Sequence, residues 1–188
     1  MSRFTSRLCI AALALGLVAG SAAAPAGTAA QQVPDITDAD FLGQAAQSNR
    51  FEIVTGKLAA QRGKSRAVRR LGRQFAVHHT AALEQGAAVA AKLGITPPEG
   101  LNPQQQAIAE ALADRRGRSF DRAWLKAQLV AHEQAVALHL RGALTGDTAD
   151  VRTLAITGLP VVAGHLGELT ATVANRDDDG RHRGHDHR

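Results

Sequence analysis

The chain has 188 residues, of which 45% are hydrophobic, yet it contains only five Phe, one Trp and no Tyr. An Ala- and Leu-rich composition with few aromatic residues and few β-branched runs favours packed helices over a sheet, and predicts an all-α protein. The net charge of +5 falls to +3 without residues 1–30, which hold two Arg and no acidic residue. Mild charge and few stacking residues argue against a nucleic-acid partner. Weak attraction to an anionic envelope or membrane surface is the expected association, and the composition indicates no oligomeric state.

The first 30 residues have the pattern of an export signal. Arg3 and Arg7 precede an apolar run over residues 8–19, and small residues follow as far as Ala30. The apolar run is shorter than the roughly 20 residues that a bilayer span needs, so a cleaved signal peptide is favoured over an anchor. The single cysteine lies inside this segment, so the rest of the chain can form neither a disulfide nor a thiolate metal site. The sequence therefore predicts a protein of the periplasm or outer envelope.

A flexible lead-in at 31–37 precedes four long predicted helices and one short one. The helices are expected over residues 38–61, 65–93, 103–114, 119–144 and from 147 or 148 to about 174. Asp38, Ser65 and Ser119 are the predicted N-caps, and Pro160 is expected to kink or divide the last helix. Residues 175–188 are polar and expected to be disordered, and no internal repeat is apparent. These elements predict an antiparallel four-helix bundle over 38–174 with the short helix in the second crossover.

Each long predicted helix has a buried stripe in steps of three and four residues, and each stripe contains one potential metal ligand. These ligands are Glu52, His79, His132 and His165. Ionisable side chains are rarely buried unless they are paired, hydrogen-bonded or bound to metal. One such residue in every long helix predicts that the four meet at a single level inside the bundle.

Imidazole and carboxylate ligands suit zinc, copper, iron or manganese, and a bundle core is a usual place to assemble them. Glu52 with three histidines would form a mononuclear site, whereas a di-iron centre needs Glu-x-x-His pairs that this sequence lacks. A second interpretation stays open, in which the same residues form a buried polar layer that only fixes helix register. The sequence shows no phosphate loop and no nucleophile elbow, and neither an open coordination position nor a substrate path, so it does not predict an enzyme.

Other polar and aromatic residues have simpler interpretations. His78 is expected to flank His79, and His139 is expected near the bundle end, partly solvated. Asp121 is interpreted as a helix cap and Trp124 as a core anchor. The tail histidines, which could hold metal loosely, are His182, His185 and His187.

Several segments together resemble a known family. They are FLGQAAQSNRFEIVTGKLA, FAVHHTAAL, SFDRAWLKAQLVAHEQAVAL and LAITGLPVVAGHLGEL, and across about residues 38–174 they are similar to the bacterial domain of unknown function 4142. The resemblance implies an exported, ferritin-like four-helix bundle without an assigned activity. The matching positions are Glu52, His79, Asp121, His132, Glu133 and His165. His78 and Gly164 stand where the family commonly has acidic residues, which weakens an oxygen-rich metal site.

Overall fold

A computed structural model describes the backbone of residues 33–185 and the side chains of residues 33–176. Within these residues the chain forms five α-helices and no strands. They are α1 (Asp38–Arg62), α2 (Arg66–Lys92), α3 (Pro103–Ala113), α4 (Gly117–Thr145) and α5 (Ala149–His185). The all-α class is confirmed, and the short helix lies between the second and third long helices. The predicted signal peptide at 1–30 and the start of the lead-in lie outside the described residues.

The helix starts follow the predicted capping chemistry in part. Ser65 caps α2 by accepting a hydrogen bond from the Val68 N–H. At α1 the cap is Thr37, whose hydroxyl accepts from the Asp40 N–H, so the assignment of this cap to Asp38 was wrong. The start of α4 at Gly117, two residues earlier than expected, uses a φ of +61° that glycine adopts readily.

The sequence predicted a kink or a division at Pro160; α5 is continuous through this residue, so the division does not occur. A proline removes one backbone hydrogen bond, and the helical turns on either side hold the segment together. The backbone also continues as helix over residues 175–185, where the sequence predicted disorder. Extending an existing helix needs no new nucleus, which is why a polar segment can remain helical there.

One segment of the described chain, Ala149–Arg176, is long and apolar enough to span a bilayer by length and composition. The same segment contributes Val151, Val162 and Leu169 to the buried core. A core helix of a bundle meets the same length criterion as a membrane span. In this structure the segment packs against the other helices.

Neighbouring long helices run antiparallel, as the paired residues along them show. Along α4 and α5, His132 lies opposite His165, and Gly142 lies opposite Ala155 further on, so residue numbers rise in one helix as they fall in the other. The same opposed order relates α1 to α2, α1 to α4 and α2 to α5. It follows that α2 and α4 run in the same direction and are joined by the crossover that contains α3.

Two hydrophobic clusters fill the bundle, one on each side of a polar layer. The first is built around Trp124 and Phe75, and the second around Phe41 and Val151. On α1 the buried Glu52 lies between residues of the two clusters. The long helices therefore carry polar side chains at one depth between two apolar zones.

The loop joining each pair of antiparallel helices is capped by an acidic residue from the other pair. Asp121 of α4 accepts hydrogen bonds from the backbone N–H groups of Lys64 (2.8 Å) and Ser65 (2.9 Å). Asp38 of α1 accepts from the N–H of Thr148 in the α4–α5 loop. Both acids are buried, and charge-assisted bonds of this kind are stronger than neutral ones.

Each of the two loops also accepts hydrogen bonds from an arginine side chain. Arg69 donates to the carbonyl groups of Gly63 and Lys64, and Arg152 donates to those of the corresponding residues in the other loop. Each of these positions lies 83 residues from its counterpart, the separation of Asp38 from Asp121. The bundle therefore contains a structural repeat of two helical hairpins. The sequence did not reveal it because few residue identities recur at this spacing.

Candidate metal centre

All four residues predicted as ligands are buried in the polar layer. The exposed fractions are 1% for Glu52, 3% for His79, 1% for His132 and 2% for His165. Each stands in the inward stripe of its own helix, because steps of three and four residues keep a side chain on one helical face. The helical period thus explains why all four side chains face the interior of the bundle.

Three of the four come together as a cluster. One ring nitrogen of each of His79, His132 and His165 lies within 4.8 Å of the other two. The Nε2 of His132 is 3.3 Å from the Nδ1 of His165. A tetrahedral ion with metal–nitrogen bonds of 2.0–2.1 Å separates its ligand atoms by about 3.3 Å. This pair of nitrogens already has the spacing that such an ion requires.

The outer nitrogens of two of these rings are hydrogen-bonded away from the cluster. His132 Nδ1 lies 2.9 Å from the backbone oxygen of Gln128, which can only accept, so this nitrogen carries the proton. His79 Nδ1 lies 2.8 Å from Asn49 Oδ1, while its buried Nε2 has no hydrogen-bond partner among the described residues. Outer bonds of this kind fix the tautomer of metal-binding histidines and leave the other nitrogen free to coordinate.

The third ring has an outer partner as well. His165 Nε2 lies 2.8 Å from the Nδ1 of His78, and the two rings stack with centroids 5.1 Å apart. His78 is exposed, so it lies outside the cluster and flanks it, as the sequence suggested. With His165 donating its Nε2 proton to His78, the Nδ1 nitrogen would face the cluster as a lone pair. All three imidazoles can therefore present a donor atom inward at the same time.

Burial keeps these imidazoles neutral. It lowers the pKa of His132 to about 4, and burial followed by repulsion from His132 and His78 lowers the pKa of His165 to about 4. Burial also lowers the pKa of His79 well below its usual value, and repulsion from the neighbouring imidazoles adds to the effect. Neutral imidazole is the form that binds metal, so the cluster requires little proton release at pH 7.

Glu52 lies beside the cluster and is not among its three members. Its Oε1 is 3.9 Å from His132 Nδ1, the nitrogen that points away from the other rings. Neither carboxylate oxygen has a hydrogen-bond partner within the described part of the chain. Burial raises the pKa of Glu52 well above its usual value, and the nearby Gln128 amide, which donates to Thr55 Oγ1, only partly opposes this. The helical period predicted the depth of Glu52, but it could not predict the direction of its carboxylate.

One side of the histidine cluster is closed by an aromatic ring. The centroid of Phe75 lies 4.5 Å from that of His165, 4.8 Å from that of His132 and 6.3 Å from that of His79. Phe75 is itself fully buried. A solvent molecule cannot approach the three rings from this side.

The other side opens into a groove between α2 and α5. The groove has a volume of about 980 Å³, and four histidines line it: His78, His79, His139 and His165. It is spanned toward its ends by two ion pairs, Arg70–Glu168 at 3.0 Å and Lys92–Asp150 at 2.7 Å. Both pairs are largely exposed and connect α2 to α5, between which direct packing is sparse.

The remaining residues singled out in the sequence have structural roles. His139 is half-buried between α4 and α5, where its Nδ1 donates to the Ala155 carbonyl at 3.0 Å. Asp121 caps the start of α2 rather than its own helix, so its predicted role as a cap was assigned to the wrong element. Trp124 is a fully buried core anchor whose indole N–H donates to the Thr55 carbonyl at 3.0 Å.

Comparisons with known proteins identify a family and a fold. The family described as "Domain of unknown function (DUF4142)" matches residues 22–172. No curated protein matches the sequence. Similar solved structures include a DUF305 fragment from Deinococcus radiodurans, with 18% identity and a TM-score of 0.66 over 76% of this chain and 99% of that one. CopM in its Cu(II)-bound form has 15% identity and a TM-score of 0.64 over the same shares. At these identities the two structures establish a shared helical-bundle fold.

Proposed function

The chain belongs to the DUF4142 family, whose description assigns no function, and from its geometry we propose that it is a non-enzymatic protein that binds one transition-metal ion through His79, His132 and His165. The observation that carries this proposal is the buried cluster of three imidazole nitrogens within 4.8 Å of one another. Each ring has an outer hydrogen-bond partner that can orient it. Such outer partners are a regular feature of histidine metal sites.

The donor set favours copper or zinc. Three neutral imidazoles suit both ions, whereas iron and manganese more often take carboxylate oxygens, and Glu52 stands apart from the cluster. For a given nitrogen site, divalent copper binds more tightly than the other first-row ions. CopM, which shares the fold, was determined in a Cu(II)-bound form. Cu(II) is therefore the first ion to test and Zn(II) the second.

The alternative proposal is a structural or interaction protein of the envelope, in which the polar layer only sets helix register. A layer with that role alone should satisfy its own polar atoms, because each unpaired buried group costs about 1–3 kcal/mol. In the described part of the molecule, His79 Nε2, Gln128 Oε1 and both oxygens of Glu52 lack hydrogen-bond partners. Of these atoms only His79 Nε2 belongs to a residue of the cluster, and this unsatisfied nitrogen is the one that supports a bound ion over the register interpretation.

We further propose that the protein is exported to the periplasm or outer envelope. The support is the charged and then apolar pattern of residues 1–30 and the restriction of cysteine to that segment. A ferritin-like order of the four long helices is proposed as well, supported by the common direction of α2 and α4 across the crossover. Association with an anionic envelope surface would follow from the positive net charge.

The test is metal content in the full chain. The background carries H182A, H185A and H187A, which remove the tail histidines as competing ligands. After dialysis against Cu(II) or Zn(II) with a weak competing chelator, we expect one ion per chain by elemental mass spectrometry. The substitution H132L should abolish this stoichiometry, while circular dichroism should show that the helices remain.

The matched control is E52Q, which changes a buried residue of the same layer. Since Glu52 lies beyond His132 and outside the cluster, E52Q should retain one ion per chain. A chain that takes up no ion, and whose melting temperature ignores copper, zinc, iron and manganese, would overturn the proposal in favour of the register interpretation. Under that interpretation H132L would leave the stability unchanged or raise it.

A further inference from the structure

Resting on the proposed three-histidine site, we infer that the bound metal keeps one coordination position open to the groove between α2 and α5, where a small anion or a water molecule exchanges. The sequence showed neither an open position nor a path to the centre of the bundle. In the structure three buried imidazoles form the cluster, and two of these rings belong to residues that line the groove. The site would then be an exchangeable centre rather than a closed structural one.

The number of protein ligands is the first observation that supports an open position. Closed structural sites of zinc are bound by four protein donors, whereas sites with three protein donors hold water or another exchangeable molecule in the fourth position. Among the described His, Cys, Asp and Glu side chains, only His79, His132 and His165 join the cluster. Glu52 faces the outer nitrogen of His132, which already donates to the Gln128 carbonyl. The described side chains therefore supply three donors.

The second observation concerns the side from which a fourth ligand would approach the metal. Phe75 packs against all three imidazoles and covers one side of them. His79 and His165 form part of the wall of the groove, and the exposed His78 lies beside them. We therefore assign the approach of a fourth ligand to the groove side of the cluster and not to the side that Phe75 covers.

The third observation concerns the side chains that line the groove near the cluster. Near the cluster its walls include the small residues Ala81 on α2 and Gly164 on α5, and the nearby carboxylate of Glu168 is paired with Arg70. The nearest basic groups across its ends, Arg70 and Lys92, are each paired with a carboxylate. A divalent ion held by three neutral rings would be the dominant uncompensated charge in this region, and it would attract a small anion.

The experiment titrates azide into the Cu(II)-loaded full chain that carries the three tail substitutions. We expect a saturable azide-to-copper charge-transfer band, with metal content measured in the same samples. The blocking variant is G164L, since an added Cβ at this groove-lining glycine meets no described atom within 4 Å. The matched control is G167L on the same helix, where an added Cβ also meets no described atom within 4 Å and which does not line the groove.

The variants separate the possible outcomes. G164L should weaken azide binding at least about tenfold relative to G167L, and A81L on the opposite wall provides an independent block if G164L alters metal uptake. If copper binds at one ion per chain and azide produces no band, the open position is refuted while the metal site stands. Equal azide affinity in all three variants would refute the groove as the route. If the chain takes up neither copper, zinc, iron nor manganese, the proposed function itself is overturned.

Discussion

Acidification should destabilise the metal-free protein through its buried histidines. The imidazole of His132 is 1% exposed, and burial lowers its pKa from the usual 6.5 to about 4. Between these two values the unfolded chain binds more protons than the folded chain at this residue. The stability that His132 contributes is therefore fully present above pH 6.5 and is lost as the pH falls toward 4.

The magnitude follows from linkage. Integrating the proton uptake of this one group between pH 7 and pH 4 gives a loss of about 3 kcal/mol in the free energy of unfolding. His165 has the same lowered pKa of about 4, but part of its shift comes from His132. Removing His132 therefore also relieves His165, so the measured difference should be about 3 kcal/mol or somewhat more.

The assay is urea denaturation of wild type and H132L at several values between pH 7 and pH 4, with a chelator present throughout. H132L changes the absolute stability through packing, so only the pH dependence of the two proteins is compared. Carboxyl groups that titrate in the same range are common to both proteins and cancel. H187L, which removes a tail histidine, serves as the control for histidine content. Parallel pH profiles of wild type and H132L would refute the buried, neutral state of this imidazole.

Three further predictions concern stability. E52Q should remove the loss of stability that occurs as the pH rises above 4.5, because burial raises the pKa of Glu52 and the folded state holds its proton more tightly; urea midpoints that change equally in both proteins between pH 5 and pH 9 would contradict this. G72A should cost several kcal/mol, since its Cβ would lie 2.6 Å from the Gly56 oxygen, whereas G86A, with open space, should gain about 1 kcal/mol by thermal melting. D121A should cost about 1–3 kcal/mol, because two partly buried backbone donors lose their carboxylate acceptor; D121N should recover part of this, and a D121A protein as stable as wild type would exclude the cap.

The sequence predicted the helices well because apolar periodicity, glycine and proline act locally. Four of the five predicted C-terminal helix ends differ from those of the structure by one residue. The depth of His79, His132 and His165 followed from the same periodicity. The position of Glu52 relative to them did not, because two helices can bring residues to one level while a flexible side chain points past that level.

Contacts between residues far apart in the sequence could not be predicted for a related reason. Asp121 has the residue type and position of a cap for its own helix, but its carboxylate reaches the start of α2. The groove between α2 and α5 depends on how closely two helices approach, and no local pattern encodes that distance. His78 was located correctly as a flanking residue because adjacent residues on a helix are separated by about 100°.

The reciprocal loop caps have a consequence for how the chain assembles. The loop of each helical hairpin is capped by an acidic residue of the other hairpin. Asp121 caps the first loop, and Asp38 caps the second. A half-molecule separated within the crossover would leave backbone donors without their acceptor, and it should recruit the complementary half to recover them. The same reciprocity would let one half pair with its counterpart from another chain, so shortening the crossover should shift this protein toward exchanged dimers.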